Sequence, residues 1–278
     1  MRLRIAAICV AVLALTACGS DEGGGMPAGE HVHSLAVTAD GGLLLGLHGG
    51  LYRSDDGERW SLAGLDGEDA MVVASGGAGD PMFVAGHEVL YRSDDDGETF
   101  TPLTPADLPG MDIHGFAQGA SDPQVVYAFV VGHGLFASGD AGATWERRAS
   151  TDAIPPDVFG LAVVGEGDEM VVMVGPESGV HLSVDGGRSF QRVLETPSGA
   201  VAVDDTSPDL VWVLTAAGLA RSEDAGVTWE IASTLEGVDG QPVAITADGN
   251  LLWVVTEEPR SLYRSDDGGG SWQLVAGT

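Results

Sequence analysis

The strongest constraint on this chain is a short phrase that returns six times. SDDGERW begins at Ser54, SDDDGETF at Ser93, SGDAGATW at Ser138, SVDGGRSF at Ser183, SEDAGVTW at Ser222 and SDDGGGSW at Ser265. The shared pattern is S-x-D-x-G-x-[TS]-[WF]; five copies fit it and the first is one residue short. Successive serines stand 39, 45, 45, 39 and 43 residues apart. A period in the low forties with strand-like content is that of a propeller blade built from four antiparallel strands. Residues 31–278 have room for six such units, so the expected fold is an all-β, six-bladed β-propeller.

Within each unit the strands follow in order. An inner strand with a small residue at its centre comes first, as in HSLAV from His33, HGFAQ from His114 and FGLAV from Phe159. A run apolar on both faces follows, such as LLLGL from Leu43, VVYAFVV from Val125 or MVVMV from Met170, which suits a strand sandwiched between neighbouring blades. The repeated phrase then forms the turn between third and fourth strands. Its glycines, Gly97, Gly142, Gly187, Gly226 and Gly269, supply positive φ. Its aspartates, Asp95, Asp140, Asp185, Asp224 and Asp267, are placed to accept hydrogen bonds from turn amides. Its aromatics, Trp60, Phe100, Trp145, Phe190, Trp229 and Trp272, are placed to bury a ring between blades. Calcium ligation by these aspartates is disfavoured, because D-x-D-x-DG loops with a distal Glu are missing.

The phrase resembles the Asp-box, or BNR repeat, of sialidases, sortilin-type receptors and many bacterial propellers. The chain as a whole is similar to bacterial Asp-box lipoproteins that carry exo-sialidase or glycosyl hydrolase labels. The resemblance implies the propeller with Asp-box turns; it does not carry the chemistry. A sialidase needs several arginines converging on the substrate carboxylate, a Tyr activated by Glu, and an acidic proton donor. Here the Arg-Ile-Pro of the first blade is absent. Arg53, Arg92, Arg221 and Arg264 each directly precede a motif serine, and Tyr52, Tyr91 and Tyr263 recur two places before one, so both sets read as packing on outer strands. No G-x-S-x-G elbow, P-loop or H-E-x-x-H occurs, and the expectation leans away from an enzyme.

Residues 1–17, MRLRIAAICVAVLALTA, read as a signal peptide: two arginines precede an apolar run from Ile5 to Ala17 that is too short to span a bilayer. Leu15-Thr16-Ala17-Cys18-Gly19 matches the bacterial lipobox, which makes Cys18 the lipid-attachment residue and 18–30 a flexible, acidic tether. The expected address is the cell envelope, lipid-anchored on the extracytoplasmic side of a bacterial membrane. The only other cysteine, Cys9, lies in the segment to be removed, so no internal disulfide is expected. Net charge is -30, and all twelve basic residues are scattered arginines, which excludes nucleic acid as a partner.

The histidines form the one constellation that the fold does not explain. All seven lie between residues 31 and 181. His33 and His114 open the inner strands of blades one and three, and Met71 takes that place in blade two. His48, His87 and His133 end the second strands of blades one, two and three. The start of strand one and the end of strand two meet on one face of a blade, opposite the motif turns, so His33 is expected beside His48 and His114 beside His133. Imidazoles with a thioether favour copper or zinc over calcium or magnesium. Glu68, Asp69 and Asp112, just ahead of inner strands, are candidate acceptors for ring N–H groups. The competing reading is that duplication copied a structural Gly-His turn, as in Gly86-His87 and Gly132-His133; blades four to six lack the pattern, which argues for function. His31 and His181 are read as surface or loop residues.

Two functions follow. The first is a membrane-anchored propeller binding a small ligand, a transition metal, or an envelope protein at its histidine-bearing face. The alternative is a glycoside hydrolase acting on an extracellular or envelope polysaccharide, with carboxylates such as Glu68, Asp69 and Asp112 as acid and base; it requires two of them about 5 to 9.5 Å apart.

Overall fold

A computed structural model describes residues 25–28, 31–204 and 206–278. It has six sheets, each made of four consecutive antiparallel strands, and is the expected all-β, six-bladed propeller. The first strands, Val32–Val37, Val72–Ala74, Ile113–Gln118, Gly160–Val164, Ser198–Asp204 and Gln241–Asp248, line a central channel. Each packs on the first strand of both neighbouring blades, blade six on blade one included. Blade six contributes all four of its own strands, so among the described residues the ring closes side to side with no strand exchanged. Among the described residues no helix is long and apolar enough to cross a bilayer.

The second strands show why both faces had to be apolar. Leu44 and Leu45 are adjacent, both fully buried, and point to opposite faces. Leu44 packs in the seam with blade two, against Val73, Met82 and Val84. Leu45 packs in the seam with blade six, against Trp253 and Val255. Each such side chain contributes roughly 1.5–3 kcal/mol by leaving water, and the arrangement recurs around the ring.

The motif turns join third and fourth strands, as expected, and their hydrogen bonds repeat. Ser93 Oγ accepts the Gly97 amide at 2.9 Å and donates to Asp95 at 2.7 Å. Asp95 also accepts the Thr99 amide at 2.8 Å and the Thr99 hydroxyl at 2.5 Å. The same set recurs from Ser138, Ser183, Ser222 and Ser265. Hydroxyl donation from Thr99 and from Ser189 is the largest influence that holds Asp95 and Asp185 down to about 2. The residue before each glycine also has positive φ, including the non-glycines Asp96 at 57°, Ala141 at 54° and Ala225 at 55°. That residue is the one missing from the first copy, where the Gly57 amide reaches Ser54 Oγ from three positions away instead of four.

The segment 18–30, read as a free tether, has a docked part. Met26 is 5% exposed and sits in the seam of blades six and one with Val32, Trp253 and Leu262. The Arg260 guanidinium donates to the Pro27 carbonyl, and Gly25 bridges in parallel to Arg59. A methionine among glycines and acids gains more from this apolar seam than from solvent, so the folded body begins by residue 25 and not at 31. Residues 1–17 and Cys18 lie outside the described residues.

Candidate metal centre at the channel mouth

The mouth opposite the motif turns is where first strands begin and second strands end. His33 and His114 are placed there by β-bulges. In blade one the pairing passes from Val32↔Leu47 to Ser34↔Gly46 and skips His33; in blade three it passes from Ile113↔Val130 to Gly115↔Phe129 and skips His114. An extra residue of this kind leaves the ladder and its side chain is re-aimed. His48 and His87 each follow the last paired residue of their second strands, in two-residue turns closed by Leu47↔Gly50 and Gly86↔Val89.

Asp69 and Asp112 come from the loops entering blades two and three. Ala70 is fully buried, and its amide bonds to the Leu47 carbonyl at 3.0 Å. The loop can lie so close only because its neighbours lack side chains: a Cβ on Gly86 would stand 1.9 Å from the Asp69 carbonyl oxygen, and one on Gly46 2.3 Å from that of Ala70. Asp112 is held by backbone pairing, its carbonyl taking the Val131 amide at 2.9 Å while the residue bridges to His87.

Six side chains thereby form two adjoining groups of three, with one ligand atom from each residue of a group lying within 4.8 Å of the others: His33, His48 and Asp69, then His87, Asp112 and His114. In the first, His33 Nε2 is 3.5 Å and His48 Nδ1 3.2 Å from Asp69, and the two rings meet edge-on with centroids 4.4 Å apart. In the second, His87 Nε2 and His114 Nε2 are 2.9 Å apart, and Asp112 Oδ1 is 3.2 Å from His114 and 3.6 Å from His87. The groups touch through His87 Nδ1, 3.5 Å from Asp69 Oδ2. Three donor atoms, His33 Nε2, Asp69 Oδ1 and Asp112 Oδ1, are buried and make no hydrogen bond. Burial is the main cause that lowers the His33 pKa to about 4, aided by His48 and His31 and opposed by Asp69 and Glu257. His33 is therefore neutral near pH 7, with a lone pair free for a ligand.

Blade four provides an internal comparison. Asp157 precedes Phe159 by two places, as Asp69 precedes Met71 and Asp112 precedes His114. Its carboxylate accepts the amides of Glu177 at 2.6 Å and Ser178 at 2.9 Å, capping the turn between second and third strands. In blades two and three the carboxylates face imidazoles instead. Phe159 takes the inner-strand position of His33 and His114 and is 54% exposed, so the histidine-rich arc of the mouth ends at blade four in an apolar ring. Below it, a cavity of about 580 Å³ is lined largely by apolar side chains, among them Leu35, Val73, Phe116 and Ile245.

The expected pairing of His33 with His48 is present, whereas that of His114 with His133 is not. Val130↔Gly134 encloses three residues in blade three, one more than in blades one and two, so Val131 takes the place of His48 and His87 while His133 is carried outward and exposed. His114 pairs with His87 of the neighbouring blade. Met71 is buried on the channel wall, and both groups of three form without it. Glu68 belongs to neither group; its amide closes a turn onto Leu65. Of the two histidines read as surface or loop residues, His31 is exposed just ahead of the first strand, as expected, whereas His181 is not a surface or loop residue. His31 Nδ1 lies 3.2 Å from Glu257 Oε2, and its ring is 6.1 Å from that of His48, which extends the arc to blade six. Its alternation with His33 was the available signal. His181 is a half-buried member of the strand Gly179–Ser183, opposite Met173, with its pKa lowered by burial and by Arg192.

Two imidazoles and one carboxylate make a donor set suited to zinc or copper and poor for calcium or magnesium, which take oxygen ligands.

No protein-family model matches the chain. A xyloglucanase from a Paenibacillus species is 25% identical over 209 residues, covering 67% of this chain and 19% of that protein. Among solved structures, the GH74 xyloglucanase of Xanthomonas campestris matches with a TM-score of 0.60 at 19% identity, over 90% of this chain and 45% of that one. YCF48 from Cyanidioschyzon merolae matches with a TM-score of 0.54 at 17% identity, over 90% of this chain and 86% of that one. The chain thus spans less than half the length of either xyloglucanase, and what it shares with these proteins is the propeller: it is a six-bladed β-propeller similar in fold to GH74 xyloglucanases and to YCF48.

Proposed function

We propose that the protein is an extracytoplasmic propeller, anchored to a bacterial membrane by lipid on Cys18, that binds a divalent transition metal, zinc or copper, at its histidine-bearing mouth. The observation that carries this reading is the group His87, Asp112 and His114. Its three edges of 2.9, 3.2 and 3.6 Å bracket the roughly 3.3 Å between ligands that surround zinc tetrahedrally at about 2.0–2.1 Å. The buried ligand atoms that make no hydrogen bond and the different use of Asp157 in blade four support it. The envelope address rests on the lipobox and the apolar segment before it. Calorimetry of the metal-free mature protein with zinc and with copper(II) tests the metal reading. Saturable binding that is lost or sharply weakened in the His87→Ala/His114→Ala variant is expected; no binding by the unaltered protein would overturn it.

A second reading, hydrolysis of a polysaccharide, is favoured by the xyloglucanase relative and by two carboxylates, Asp69 and Asp112, on either side of His87. It expects release of reducing sugar from xyloglucan or from another extracellular or envelope polysaccharide, abolished by Asp69→Asn or Asp112→Asn. Failure on a broad glycan panel removes it.

A further inference from the structure

We infer that the mouth is a two-ion centre, whose half-sites are joined by the contact between Asp69 and His87; this rests on the metal-binding reading above. His33, His48 and Asp69 form one half-site, and His87, Asp112 and His114 the other. A single ion cannot serve both. His87 presents Nε2 to His114 and Asp112, while its Nδ1 faces Asp69, and the two nitrogens of one ring diverge. Each half-site has one carboxylate and two imidazoles, which matches one divalent cation apiece. Each also has a buried ligand atom that makes no hydrogen bond and meets only other members of its group: His33 Nε2 and Asp69 Oδ1 in the first, Asp112 Oδ1 in the second. The side chains of His48, His87 and Asp112 are between 40% and 48% exposed, so both half-sites are open to entering ions.

The junction sets how the ions affect each other. With an ion on Nε2, His87 carries its proton on Nδ1 and donates it toward Asp69 Oδ2, fixing the ring tautomer from the outer shell. Asp69 is also a ligand of the first half-site. An ion there withdraws charge from the carboxylate, weakens it as an acceptor for His87, and adds positive charge beside the second ion. The two ions therefore bind with unequal, negatively coupled affinities, and Asp69 is the positioning residue between them.

Equilibrium dialysis of the metal-free mature protein against zinc, with metal counted by mass spectrometry, tests this. Two equivalents are expected, with one retained by His48→Ala and one by His114→Ala/Asp112→Ala; His48 is partly exposed, so its variant is not expected to disturb folding, and circular dichroism checks this for both. Asp69→Asn is expected to lose one ion and to bind the other 10- to 100-fold more weakly. In a copper(II) titration followed by electron paramagnetic resonance, the second equivalent is expected to broaden or quench the signal of the first. One equivalent in the unaltered protein overturns the two-ion centre and leaves the metal-binding reading standing; none overturns both. Two equivalents with the remaining ion unaffected by Asp69→Asn overturn the coupling through Asp69.

Discussion

His87 and His114 face each other across the boundary of blades two and three, with Nε2 atoms 2.9 Å apart and rings inclined by only 17°. Only one proton fits between two such nitrogens, and a cation satisfies both lone pairs at once. Metal should consequently stabilise the folded protein. At a free zinc concentration 100 times the dissociation constant, one site adds about 2.7 kcal/mol, or a rise in Tm of about 5–10 °C for a domain of this size. Differential scanning fluorimetry with zinc, reversed by chelator, checks this; an equal rise in His87→Ala/His114→Ala would assign the effect to other groups.

Gly86 makes room for the loop that carries Asp69. Gly86→Ala would set a methyl group against the Asp69 carbonyl and force the loop outward. A loss of about 3 kcal/mol is expected, within the range for overpacked cores, together with weaker metal binding. Denaturant unfolding and calorimetry measure the two effects; unchanged affinity would show that Asp69 does not depend on this close approach.

The turn aspartates predict the acid limit of the fold. Asp56, Asp95, Asp140, Asp185, Asp224 and Asp267 all have lowered pKa values in the folded protein. The unfolded chain therefore binds protons first as pH falls. The stabilisation is fully present above about pH 4, near the ordinary aspartate value, and is lost as pH drops toward about 2, where Asp95 and Asp185 protonate. Far-ultraviolet circular dichroism of metal-free protein should show unfolding in that window. Replacing Asp185 by Asn should shift the transition to higher pH, and an unmoved midpoint would count against the turns as its cause.

Met26 fills the seam of blades six and one. Met26→Ala should cost about 2–5 kcal/mol, the usual range for buried methionine truncation, measured by urea unfolding of the mature protein. A loss below 0.5 kcal/mol, of the size ordinary surface substitutions give, would mean that the segment does not support the ring.

The ring and its turns were legible because their determinants are local. Ser93, Asp95, Gly97 and Thr99 bond to one another within seven residues, so spacing encodes the turn directly. The mouth was legible only to the level of strand ends. Repeat alignment brings His33, His48, His87 and His114 to one face, but partner choice depends on how blades abut. One extra residue in the turn at Val131–His133 moved the contact of His114 to His87. Glu257, the partner of His31, is 226 positions away in sequence. The fixing of Asp69 depends on two of 42 glycines, which composition cannot single out.

The docked segment at Gly25–Ala28 also sets a path for mechanical force. A pull applied upstream of the propeller reaches Met26 and the Arg260–Pro27 contact before it reaches Val32, the first paired residue of blade one. Tension is thus delivered first to the motif turn of blade one through Gly25 and Arg59 and to the side of blade six through Pro27 and Arg260, so that it is shared across the joint by which the hoop is fastened before it loads the strand that carries His33. If the body is held by that end, as the proposed lipid on Cys18 would hold it, a tug loads this joint before the inner strand that presents His33.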